Sequence, residues 1–120
     1  MKTILLVDDE YAVVEVLQML LADEGFAVLT AADGEEALKV LGKETPDVVL
    51  TDQMMPLVSG AELLRAMQKS ARHRRIPVIL MSAAPLLPDH AQLPWALFLQ
   101  KPFEFRELKV WLDKHLDATD

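Results

Sequence analysis

Five side chains able to do chemistry stand at the ends of short apolar runs. Asp8 and Asp9 follow Ile4–Val7, Asp52 follows Val48–Thr51, Ser82 follows Pro77–Met81, and Lys101 comes just after Trp95–Leu99. Carboxylates crowded to about 4 Å repel by roughly 4 kcal/mol per pair at an effective dielectric near 20. If Asp8, Asp9 and Asp52 are brought together they therefore call for a hard divalent cation. Oxygen ligands with water left over favour Mg²⁺, with Mn²⁺ as the alternative. A carboxylate beside such an ion can attack a phosphoryl group and give an aspartyl-phosphate, a reaction that depends on positioning and charge neutralisation. Asp52 is the candidate nucleophile. Lys101 can supply a cation, and Ser82 a hydroxyl hydrogen bond, to the phosphoryl oxygens. Each has a plainer reading alone: Asp8-Asp9-Glu10 as acids complementing a helix dipole, Lys101 as a surface lysine, Ser82 as a turn residue. Their joint occurrence at four strand ends favours the chemistry.

The elements that must gather them are legible in the hydrophobic pattern. Ile4–Val7 and Val48–Leu50 are short apolar runs of the kind buried on both faces of a parallel sheet. Phe26–Ala31, Pro77–Met81 and Trp95–Leu99 read as the remaining strands. Between them the spacing turns helical. Tyr11–Glu24 places Val13, Val16, Leu17, Leu20 and Leu21 on one side, with Gly25 as its stop. Asp33 caps the next helix, with Glu36 placed for a capping box, and Ala37, Leu38 and Leu41 inward. Ser59 caps a third helix running to about Ser70 with Leu63, Leu64 and Met67 apolar. Glu104–Leu116 is the last, with Leu108, Trp111, Leu112 and either His115 or Leu116 inward. Pro85, Pro88 and Pro94 fall where the alternation expects a helix, and a proline costs a helix interior about 3 kcal/mol. The fourth helix is therefore expected to be short or irregular. Strands alternating with helices imply a doubly wound α/β domain, with a parallel sheet covered on both faces and all strand carboxyl ends on one edge.

Bulk properties narrow the function. A chain of 120 residues makes one ordinary domain, 1–120. Its net charge of −7 argues against direct nucleic-acid binding or an anionic membrane surface. Without cysteine there is no disulfide, thiolate metal site or cysteine nucleophile. Ile4–Val7 is too short for a signal-peptide core or a membrane span, so the expectation is a soluble cytoplasmic domain. The Arg72-His73-Arg74-Arg75 cluster is read as a solvated loop.

The motifs Leu5-Leu6-Val7-Asp8-Asp9-Glu10, Asp47-Val48-Val49-Leu50-Thr51-Asp52 with Met55-Pro56 and Gly60, Met81-Ser82-Ala83 and Lys101-Pro102-Phe103 resemble the receiver domain of bacterial two-component response regulators. Order and spacing agree over essentially the whole chain. The resemblance implies a flavodoxin-like, five-stranded parallel sheet in the order 2-1-3-4-5. It implies that Asp52 is the phosphoacceptor, and that Mg²⁺ is held by Asp8, Asp9, Asp52 and the backbone carbonyl of Met54. Ser82 becomes the switch hydroxyl, Lys101 the phosphoryl-binding cation, and Phe98 the switch aromatic, with plain core as its other reading. The Lys101–Pro102 bond is implied to be cis. The implied partners are a sensor histidine kinase or phosphotransfer protein as donor and an unidentified output partner or output domain, with a homodimer also open. Phosphorylation is expected to change the surface formed by residues 83–99. Such a protein is not a turnover enzyme.

Two departures from the family carry weight. The stretch from Ser82 to Lys101 is short and proline-rich, so Leu86, Leu87, Leu93 and Trp95 either form an exposed apolar patch or fold back as core. Met54 and Ala84 offer no polar side chain to place an attacking water, so self-dephosphorylation is expected to be unremarkable or slow. The rival readings are weaker. An aspartate-nucleophile phosphatase needs an acid where Met54 stands, and a flavodoxin-like cofactor binder needs a phosphate loop where Asp8-Asp9-Glu10 stands. A receiver-like interaction module that is never phosphorylated stays open.

Overall fold

The computed structural model describes residues 1–85 and 93–116. Five parallel strands form one sheet: β1 (Thr3–Val7), β2 (Ala27–Ala31), β3 (Val48–Asp52), β4 (Val78–Ser82) and β5 (Leu97–Gln100). Their order is β2-β1-β3-β4-β5. The helices among the described residues are α1 (Tyr11–Asp23), α2 (Gly34–Leu41), α3 (Gly60–Gln68) and α4 (Phe105–His115). The expected irregular helix between β4 and β5, with Leu86 and Leu87, lies outside the described residues.

Strand side chains alternate between the two faces, and this splits the core in two. Ile4, Leu6, Val48, Leu50, Ile79, Met81 and Leu99 meet α1 and α4 through Leu17, Leu21, Leu108 and Leu112. Leu5, Val7, Val49, Val78 and Leu80 meet α2 and α3 through Ala37, Leu41, Leu63, Leu64 and Met67. β3 and β4 are buried at every position, and the edge strands β2 and β5 are not. A buried Leu or Ile is worth about 1.5–3 kcal/mol, so the central strands that carry Asp52 and Ser82 are the most firmly held.

The helix ends follow the local chemistry. Gly25, at φ 96°, donates its N–H to Ala22, and Phe26 donates to Leu21. These are the paired bonds of a Schellman stop, with Leu21 and Phe26 in the same core cluster. Ser59 and Glu62 form a reciprocal capping box at α3. At α2 Asp33 accepts the N–H of Glu36, but Glu36 returns its bond to Ala32 rather than to Asp33, so only half of the expected box forms.

Other expectations need correction. Val16 is 52% exposed, because α1 packs along the stripe of Val13, Val14, Leu17 and Leu21 and position 16 lies about 100° round the helix from position 17. Leu38 is exposed for the same geometrical reason, beside the buried Ala37 and Leu41. Strand β5 starts at Leu97, not Trp95: pairing with β4 begins at Leu97, and Trp95 lies in a local turn, its N–H donating to the Leu93 carbonyl. Leu93 and Trp95 fold back onto the core. His115 is exposed, with its ring stacked on Trp111, and Leu116 takes the inward place. In the basic cluster, Arg72 donates to Gly42 and Thr45, and His73 bonds the Leu41 carbonyl. Arg72 and His73 thereby tie this loop to the carboxyl end of α2, and Arg72, Arg74 and Arg75 are all exposed, as in the solvated loop expected.

Candidate functional site

Register builds the site. Val7 pairs with Thr51, and Asp52 with Met81, so Asp8 leaves β1 beside the last residue of β3. Ser82 pairs with Gln100, and Lys101 follows at once. The backbone holds these ends together: Asp8 donates to Ala31, Gln53 to Met81, and Lys101 to Ser82. Asp8, Asp52 and Ser82 are all buried, which is unusual for the two acids.

The loop after β3 is fixed against α3. Gln53 accepts the N–H of Gly60 on its carbonyl and that of Ala61 on its side-chain oxygen at 2.6 Å. A Cβ on Gly60 would lie 2.6 Å from the Asp52 carbonyl oxygen. Only glycine lets α3 begin this close to the strand end. The buried Thr51 hydroxyl donates to the same Asp52 carbonyl. Leu57, in this loop, holds a left-handed backbone at φ 69°.

Lys101 is the cation of the site. Its Nζ lies 3.0 Å from Asp8 Oδ2, 3.4 Å from Asp52 Oδ1 and 3.9 Å from Glu10 Oε1. The Lys101–Pro102 bond before α4 is cis. Burial works against the ammonium, but the hydrogen bond to Asp8 and the charges of Asp52 and Asp8 outweigh it, and the Lys101 pKa is raised. Asp52 is also raised. Burial is the chief cause, Asp8 and Asp9 add to it, and Lys101 opposes it. One lysine thus leaves the Asp52 carboxylate under-compensated.

Carboxylate oxygens of Asp8, Glu10 and Asp52 lie within 4.8 Å of one another. They are hard donors in net negative surroundings, a set that fits a hard divalent cation. Glu10 was not singled out from the sequence. Asp9 is exposed and outside that trio, though close enough for its charge to act on Asp52. The Met54 side chain is exposed. The Ser82 hydroxyl oxygen accepts the Ala84 N–H at 3.1 Å. Phe98 is half-buried on the α2–α3 face, its ring 6.1 Å from that of Trp95.

A family model described as the response regulator receiver domain matches residues 4–113. The chain belongs to that family. Response regulator Rre1 of Synechocystis is 38% identical over 112 residues, covering 90% of this chain and 48% of that protein. Sporulation initiation phosphotransferase F of Bacillus subtilis is 33% identical over 116 residues, covering 94% of this chain and 92% of that protein. Response regulator TrrA of Thermotoga maritima, solved in complex with Mg²⁺-BeF, superposes with a TM-score of 0.87 at 36% identity, covering 97% of this chain and 100% of that one. This receiver domain spans about half the length of most of the curated relatives it matches. No helix among its described residues is long and apolar enough to cross a membrane.

Proposed function

We propose that this receiver domain accepts a phosphoryl group on Asp52 from the phosphohistidine of a sensor histidine kinase or phosphotransfer protein. The observation that carries the reading is the buried Asp52 carboxylate at the β3 end, 3.4 Å from Lys101 and within reach of Asp8. An Asp52 oxygen attacks phosphorus, the O–P bond forms, the N–P bond breaks, and the imidazole leaves with its electron pair. Asp8, Asp9, Asp52 and the Met54 carbonyl are the proposed holders of Mg²⁺. When bound, Mg²⁺ would neutralise the acids and the phosphoryl oxygens. Lys101 supplies the second positive charge. With Asp52 consumed, its ammonium is free to pair with the new oxygens.

Phosphorylation adds about −1.5 to −2 charges and strong acceptor oxygens. The Ser82 hydroxyl, at the end of the next strand, then turns toward them, exchanging its bond with Ala84. Phe98, against Trp95, then repacks, and the 83–99 surface shifts between two populations that a partner distinguishes. Residues 86–92 of that surface lie outside the described residues. The modified protein is a signal carrier, not a turnover enzyme. Intact mass after incubation with acetyl phosphate and Mg²⁺ tests the reading: one phosphoryl adduct is expected, lost with chelator and absent in Asp52→Ala. An unchanged mass with both acetyl phosphate and a phosphohistidine donor would refute it.

A further inference from the structure

We propose that Glu10 lends its carboxylate to the cation site, so that this chain holds its divalent ion with one acid more than Asp8, Asp9 and Asp52. The inference rests on the reading above that the acid cluster takes Mg²⁺. Glu10 is the N-cap of α1, with an extended backbone, the position at which a short polar side chain would accept an N–H of the first turn. The Glu10 side chain makes no such bond. Its backbone N–H is instead given to Asp8 Oδ1 at 2.9 Å, which fixes the Asp8 carboxylate. Its own carboxylate turns into the cleft, 3.9 Å from Lys101, and completes the trio with Asp8 and Asp52. Lys101 hydrogen-bonds Asp8, and its contact with Glu10 is too long for a hydrogen bond. Glu10 is thus held there by charge alone. The side chain is 65% exposed, so closing onto an ion needs only rotation about its own bonds. Ligand charge count sets divalent-ion affinity in oxygen sites, so the extra acid tightens this one.

The test is calorimetric titration of Mg²⁺ into the 120-residue chain, with the Mg²⁺-dependent rise in melting temperature as a second readout. Glu10→Gln should weaken Mg²⁺ binding about tenfold, in the manner of a lost charged ligand. Glu15→Gln, an exposed acid elsewhere on α1, should leave it within about twofold, as expected of a solvated surface charge. The Glu10→Gln loss should persist in about 1 M KCl, where the Debye length is near 3 Å and a field effect through solvent is screened out. Equal affinities for Glu10→Gln and wild type overturn the inference, as does equal weakening by Glu15→Gln or a loss that vanishes in high salt. If the wild type itself binds no Mg²⁺, the cation reading of the whole site falls with it.

Discussion

Replacing Lys101 with methionine keeps the aliphatic stem and deletes the ammonium. Its Nζ is 3.0 Å from Asp8 and 3.4 Å from Asp52, so at an effective dielectric near 20 each pair carries roughly 5 kcal/mol of attraction. Desolvation of the three groups offsets most of that gross figure, and breaking a buried pair costs about 3–5 kcal/mol in measured cases. The Lys101 side chain keeps 17% exposure, and water admitted there screens the stranded acids, so the expected loss for Lys101→Met without metal is about 2–3 kcal/mol. A second effect has the opposite sign. The ammonium and Mg²⁺ compete for the same oxygens, so Mg²⁺ should bind the variant more tightly and restore more stability than it adds to the wild type. At saturation, each tenfold gain in affinity adds about 1.4 kcal/mol. Urea unfolding followed through Trp95 and Trp111, in chelator and in saturating Mg²⁺, gives both numbers from four curves. A variant that unfolds at the wild-type midpoint in chelator would refute the counter-ion role of Lys101. An equal Mg²⁺ increment in both proteins would refute the competition.

Three further outcomes follow from the same geometry. Because the folded-state pKa of Asp52 lies above its ordinary 3.8, with burial as the leading cause, the native state holds this proton longer than the unfolded chain does. Ionising Asp52 therefore costs the metal-free fold stability as pH rises from 3.8 through the raised folded value. The stability of Asp52→Asn relative to wild type should grow across that window and be constant on either side, as read from urea midpoints against pH in chelator. Lys101 runs the other way: its stabilisation is present below 10.5 and is lost as pH rises through its higher folded value, an alkaline loss that Lys101→Met should lack. Gly60→Ala drives a Cβ to 2.6 Å from the Asp52 carbonyl oxygen and 3.0 Å from Gln53 Cα, and backbone atoms cannot step aside as a side-chain tip can. Overpacking of this kind costs about 1–3 kcal/mol. The same shift of the Asp52 peptide should weaken Mg²⁺ binding, so denaturation and calorimetry should move together, and a stable variant with unchanged affinity would contradict the close approach.

The sheet was legible because its strands are buried on both faces and so appear as unbroken apolar runs. Val48–Leu50 and Val78–Met81 could belong to little else once helical spacing was found on either side. The helix faces were legible only to within one residue. Val13, Leu17 and Leu21 form the stripe that meets the sheet, and a valine at 16 widens the apparent face without joining it. The start of β5 lies later than the pattern suggests because periodicity measures side chains, whereas a strand begins where the backbone pairs with its neighbour. Trp95 is apolar and β-prone, yet it closes a local turn on Leu93, and pairing with β4 starts only at Leu97.

The site shows the same division between what a pattern can specify and what geometry adds. A parallel sheet sends every strand's carboxyl end to one edge, so an acid pair, an acid, a hydroxyl and a lysine at those ends could be placed together with no coordinates. What the pattern could not decide is which of three successive acids faces the cleft. Asp8 continues the line of β1 and is buried, Asp9 is exposed yet close enough for its charge to reach Asp52, and Glu10, in an extended backbone at the start of α1, comes within 3.9 Å of Lys101. In a strand, neighbours point to opposite faces, and in a helix they point about 100° apart; in the turn between, neither period holds. The direction of a side chain is then set by its backbone bonds, here the Glu10 N–H on Asp8 Oδ1. That bond makes the orientation of Glu10 and the position of Asp8 one event. Backbone geometry, more than the identity of the acids, thus determines how much negative charge the site presents to an ion.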